Sequence, residues 1–198
     1  MAHYIALLRT LLSFAVVAML HVRTKWMYVA AFVLTVTLIW MDGLDGYVAR
    51  RRNEVSRLGA VVDILADRVV ETSFWIAFAK FGWVPLWVAI LVSARGILVD
   101  GIRALAFERG MTAFGSTTMM RSRLGRLLVS SRLSRNLYGA AKALAFSLLI
   151  LAFAPGLFRN IGPIVTWLAY ASVYVTVVMC VVRGLPVIVE ARRLVQQH

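Results

Sequence analysis

The stretch WMDGLDGYVARRRNEVSRLGAVVDILADRVVE, residues 40–71, places Asp42, Asp45, Asp63 and Asp67 inside or against segments that otherwise read as membrane helices. On insertion scales an ionised Asp at a bilayer centre costs about 2.5–3.5 kcal/mol. These aspartates are four of the chain's nine acidic residues, so a cationic partner is expected to hold them. Helical spacing sets their geometry. Asp42 and Asp45 are three residues apart and share one face of a helix; Asp63 and Asp67 are four apart and share a face of the next. Gly59 lies one turn before Asp63 on that face. The link 50–58 is short enough to make the two helices antiparallel neighbours, which lets the carboxylate pairs face each other at one depth.

Four carboxylates this close cannot all stay ionised without a counter-charge. Hard oxygen ligands suit Mg²⁺ or Mn²⁺ over zinc, and two divalent ions would neutralise all four. Paired metal ions are a recurring device for stabilising phosphoryl transfer. Gly46, Ala49 and Gly59 leave little bulk beside the acids, so a ligand can approach the backbone closely. The same small residues also serve helix packing. Salt bridges to Arg50 and Arg68 are the competing account of the acids, but two arginines cannot offset four carboxylates.

The 198 residues are 61% hydrophobic, with a mean hydropathy of +0.81. That is too apolar for an ordinary soluble domain and too long for a single membrane anchor. Apolar runs reach the roughly 20 residues needed to cross a hydrocarbon core of about 30 Å. Six spans can be drawn, at 5–21, 26–49, 58–80, 83–107, 136–154 and 162–182. The expected fold class is all-α: a polytopic integral membrane bundle of six transmembrane helices forming one domain over residues 1–198. The first run has no basic stretch before it and no cleavage site after it, so it reads as a retained span and not a signal peptide. Cys180 is the single cysteine, which leaves no intrachain disulfide and no thiolate cluster.

The net charge of +13 and pI near 11.2 fit a membrane protein that obeys the positive-inside rule beside anionic membrane lipids. Nucleic acid is not an expected partner, because the basic residues follow the loops and do not interleave with aromatics. With a cytoplasmic N-terminus, thirteen Lys and Arg fall in inside loops and four in outside loops. Arg183, just past the sixth span, counts among the thirteen. The expected location is the cytoplasmic (inner) membrane, multi-pass, with both termini and the aspartate site on the cytoplasmic side. The connection 108–135 carries six arginines among Met119, Met120, Leu124, Leu127, Leu128 and Leu133. It fits an amphipathic interfacial segment and a solvated basic loop equally well.

The acidic stretch matches, at every fixed position, the signature D-x-x-D-G-x-x-A-R-x(8)-G-x-x-x-D-x-x-x-D, read here as Asp42, Asp45, Gly46, Ala49, Arg50, Gly59, Asp63 and Asp67. In this the chain resembles the CDP-alcohol phosphotransferase family, and the six-span layout is similar too. The resemblance implies a metal-dependent enzyme that moves a phosphatidyl group from CDP-diacylglycerol to an alcohol and releases CMP. It implies that Asp42, Asp45 and Asp63 hold the metals that bind the CDP pyrophosphate, while Asp67 completes that site and acts as general base on the acceptor hydroxyl. Gly46, Ala49, Arg50 and Gly59 would form the donor contact surface.

Three further cations lie within the fourth and fifth spans: Arg95, Arg103 and Lys142. Buried cations are expensive and tend to face an internal cavity. SARGILVDGIR, residues 93–103, and IALLRTLLS, residues 5–13, resemble stretches of the phosphatidylglycerophosphate synthases. Such cations suit an acceptor that itself carries a phosphate, placing glycerol 3-phosphate first and inositol phosphate second. Two departures stand against the synthase pattern: the N-x-P-T lead-in is absent, and SRNLYGAAK, residues 134–142, stands where K-x-K-T is expected. A cation transporter and a lipid-binding scaffold without activity are the readings from other classes. A transporter is expected to show broken helices near the midplane, and a scaffold has no need of Asp67. A homodimer is expected only on the general ground that many polytopic enzymes dimerise.

Overall fold

The acidic stretch lies on two consecutive helices, α2 (Lys25–Arg51) and α3 (Arg57–Lys80), preceded by α1 (Ala2–His21). In the computed structural model the described residues are 2–51, 57–108, 125–158 and 161–195. They also form α4 (Leu86–Glu108), a π-helical turn (Arg126–Ser130), α5 (Arg132–Ala152) and α6 (Gly162–Val195), with no strand among them. Residues 109–124, most of the basic connection, lie outside the described residues.

All six drawn spans are therefore helical over their described residues, with shifted ends. The fourth starts at Leu86 and not at position 83, for a local reason. Gly82 adopts φ +74 and closes α3 with a Schellman motif: Trp83 N–H donates to the Phe78 carbonyl at 2.9 Å and Gly82 N–H to that of Ala79 at 3.0 Å. The hydrophobic contact that accompanies this motif is present, since the Phe78 and Trp83 rings stack at 5.4 Å. Pro85 then precedes the next helix. The fifth starts at Arg132 because Ser131 caps it, its Oγ accepting the Ser134 N–H at 3.1 Å.

The sixth span departs most from expectation. The drawn span stops at position 182 with Arg183 in the loop beyond, yet α6 continues through Arg183 to Val195, with Pro186 inside it. Arg183 is consequently no loop residue; it is 6% exposed.

Two compact units divide the chain. In the first, residues 1–89 with 143–171, α1 packs against both α2 and α3. Its core is aromatic: Phe74, Trp75 and Phe78 of α3 meet Phe146 of α5 at centroid distances of 5.0, 5.2 and 5.6 Å. Trp83 stacks on Phe153 at 4.9 Å. In the second, residues 90–142 with 172–198, Val99, Ala106, Val129 and Val187 form the buried core, with Ile102 and Leu128 against it.

Some polar side chains are buried and many apolar ones exposed. Arg9, Ser13, Thr35, Glu71, Thr176 and Arg183 are buried, whereas large apolar side chains stand exposed on every α-helix, among them Leu11, Trp40, Leu65, Ile97, Leu137 and Trp167. Exposed apolar surface on this scale needs an apolar neighbour. Among the described residues, two helices are long and apolar enough to cross a membrane by length and composition, over Tyr4–His21 and Gly162–Ala191.

Candidate active site

The second half of the acidic signature is built on α3. Asp63 and Asp67, one turn apart, both turn to one guanidinium, that of Arg9 on α1. Arg9 donates to Oδ1 of Asp67 and stands 3.9 Å from Oδ1 of Asp63. The arginine side chain is 3% exposed and each carboxylate 49%. A buried cation thus grips the inner side of two acids whose remaining surface stays accessible. Gly59 is half-buried one turn earlier on α3.

Asp42, Asp45, Gly46, Ala49 and Arg50 lie on the last turns of α2, and their side chains fall outside the described residues. Among the described residues no group of three or more His, Cys, Asp and Glu gathers; only two of the four aspartates are among them. The sequence pointed to Arg68 and Arg50 as neighbours of these acids. The structure has Arg68 donating to Glu71 at 2.8 Å, and the partner of Asp67 is Arg9. A lone arginine in an otherwise apolar first span was the signal for it, since an ionisable residue there needs a partner.

What the acids can do chemically follows from charge and hardness. The half-exposed carboxylate oxygens of Asp63 and Asp67 are hard donors. This half-site therefore fits Mg²⁺ or Mn²⁺ held by Asp63 and Asp67, with Asp42 and Asp45 from α2 as the expected remaining ligands.

A second cluster lies in the second unit. Tyr138 of α5 has three cations about its ring: Lys142 Nζ at 4.9 Å, Arg95 at 5.6 Å and Arg183 at 5.7 Å from the centroid. Arg183 also donates to the Leu128 carbonyl at 2.9 Å and to Oγ of Ser134. Arg103 and Arg135 lie near enough to act on Arg183 electrostatically. Of the cations singled out in the sequence, Arg95 and Lys142 meet on one ring, and Arg103 lies close by. Arg183 and Tyr138 were missed, the first because it looked like a loop residue, the second because nothing in the sequence marks one tyrosine as a hub.

The CDP-alcohol phosphatidyltransferase family model matches residues 1–182 of this chain. The chain belongs to this family. A CDP-diacylglycerol–glycerol-3-phosphate 3-phosphatidyltransferase of Mycoplasma pneumoniae is 32% identical over 103 residues, 52% of this chain and 45% of that protein. Its namesake in Bacillus subtilis is 30% identical over 83 residues, 42% of this chain and 43% of that protein. A Mycobacterium tuberculosis protein carrying the name of a cardiolipin synthase is 37% identical over 76 residues, 38% of this chain and 36% of that protein. The matched stretch spans less than half the length of each of these relatives.

Proposed function

We propose that this family member transfers the phosphatidyl group of CDP-diacylglycerol to a phosphorylated alcohol, with glycerol 3-phosphate placed ahead of inositol phosphate, in phospholipid synthesis. The observation that carries the reading is the complete acidic signature on α2 and α3, whose Asp63 and Asp67 share one face and one buried arginine. Asp42, Asp45, Asp63 and Asp67 would hold one or two Mg²⁺ or Mn²⁺ ions. Bound there, the metal supplies charge neutralisation on the donor's phosphates.

In the proposed step Asp67 takes the proton of the acceptor hydroxyl. The freed oxygen forms a bond to the phosphorus of the phosphatidyl group, and the bond from that phosphorus to the CMP oxygen breaks, CMP leaving with the electron pair. Gly46, Ala49, Arg50 and Gly59 would contact the donor. Arg95, Arg103 and Lys142 would receive the acceptor's phosphate, for which Arg offers a bidentate fork. The names of the Mycoplasma and Bacillus relatives support glycerol 3-phosphate. The cardiolipin-synthase name favours a second reading, in which the acceptor is itself a lipid alcohol.

The exposed apolar surface on all six α-helices supports six crossings, with the acids on the cytoplasmic side of the inner membrane. A single assay tests the whole reading: purified protein, CDP-diacylglycerol and Mg²⁺ or Mn²⁺, with CMP release compared across glycerol 3-phosphate, inositol phosphate and phosphatidylglycerol. Release driven by glycerol 3-phosphate and stopped by a chelator is expected. No release with any acceptor would overturn it in favour of a scaffold, and metal flux across vesicles without CMP release in favour of a transporter.

A further inference from the structure

One buried ring organises the cations of the second unit. Tyr138 is 8% exposed, and Lys142 follows it by four residues on α5, on the same face of that helix. Arg95 comes from α4 and Arg183 from α6, so side chains from three helices converge on this residue. Three like charges this close repel one another. The negative face of an aromatic ring attracts each of them, the more so where water is excluded. The backbone is shaped to the same end. A Cβ at Gly184 would stand 2.8 Å from both Cγ and Nε of Arg95, so that side chain lies where glycine leaves it room and would have to shift for a larger residue. The Nε groups of Arg95 and Arg183 are buried with no hydrogen-bond partner among the described residues. Guanidinium donors held in place with bonding capacity to spare suit an anion with several acceptor oxygens.

We propose that Tyr138 is a positioning residue: its ring face draws Arg95, Lys142 and Arg183 into one group whose donors converge on a phosphate. The ring does not touch the phosphate. It sets the spacing of the groups that do, and its hydroxyl has no part in this. The identification of that phosphate with the acceptor's rests on the function proposed above; the gathering of the cations does not.

The test keeps the ring's shape and changes only its electronics. Position 138 is changed first by Tyr138→Phe, then filled with phenylalanine carrying one, two and three fluorines, which weaken the ring's negative face in steps. Tyr138→Phe should leave the KM for glycerol 3-phosphate within about twofold of wild type, and the fluorinated series should raise it progressively to about tenfold. The KM for CDP-diacylglycerol and the kcat at saturating acceptor should stay constant. In parallel, the rise in melting temperature produced by inorganic phosphate should shrink in the same order. A flat series in both measurements overturns the inference, as does a tenfold rise in Tyr138→Phe itself, which would assign the role to the hydroxyl. If wild type releases no CMP with glycerol 3-phosphate, the proposed function fails, and the phosphate-induced melting shift still decides the role of Tyr138.

Discussion

At Asp67 two demands meet on one carboxylate. Arg9 occupies Oδ1 from the buried side, and in the proposed function the other oxygen serves a metal or the acceptor hydroxyl. Asp67→Asn should keep the fold, because the amide oxygen still accepts from Arg9, and should lower CMP release by at least about a hundredfold, since an amide takes no proton. Wild-type turnover in that variant would remove Asp67 from the chemistry. Arg9→Met asks a different question. It deletes the buried cation and leaves two neighbouring carboxylates to repel each other, a cost of about 1–3 kcal/mol for lost charge-assisted bonds. We expect a lower melting temperature in metal-free protein and a larger rise on adding Mn²⁺ than wild type shows, because the ion then supplies the missing positive charge. An unchanged Mn²⁺ response would mean that Arg9 and the metal act independently. The aspartates were legible as a set because their spacing is local to two helices. Arg9 was not legible as their partner, because 58 residues separate it from Asp67 and only the packing of α1 on α3 closes that distance.

Among the elements, α3 and α6 teach opposite lessons about glycine. Gly82 ends α3 because its φ of +74 is a conformation that other residues adopt only at a cost. Gly82→Ala has space for the methyl, with nothing within 4 Å, yet should cost about 1–2 kcal/mol through the left-handed backbone alone. Thermal unfolding in detergent reads this directly. Gly184 lies inside α6 and ends nothing. Changing it to alanine gains up to about 1 kcal/mol of helix propensity, but sets a methyl against Arg95 at 2.8 Å, and overpacking costs typically about 1–3 kcal/mol. The second term is the larger, so Gly184→Ala should lose stability and weaken the response to glycerol 3-phosphate while leaving CDP-diacylglycerol binding intact. A gain in stability would mean that Arg95 moves aside freely. The span drawn from the sequence ends at position 182, while glycine and proline just beyond it lie inside the helix. Here Gly184 leaves room for the Arg95 side chain, and Pro186 lies within the helix.

For the molecule as a whole, the proposed orientation rests on charge: the drawn six-span layout sets thirteen Lys and Arg against four, Arg183 counted among the thirteen although it is buried within α6. In a Cys180→Ala background, which removes the chain's single and buried thiol, an impermeant maleimide should label Thr24→Cys from outside intact cells. It should reach Glu54→Cys only after permeabilisation. The reverse pattern would invert the topology and place the aspartates on the outer side. The sequence by itself determined the helical class, the extents of most helices, the family signature and the predicted orientation. Each of these depends on periodicity, composition or short-range spacing, which the chain carries in linear order. The tertiary structure alone decided that Arg9 holds Asp67, that Arg183 is buried in a continuous helix, and that Tyr138 sits among three cations. Apart from the local contact of Tyr138 with Lys142, these depend on residues tens of positions apart and on which helix faces meet, and a buried charge reveals only that it needs a partner, never which one.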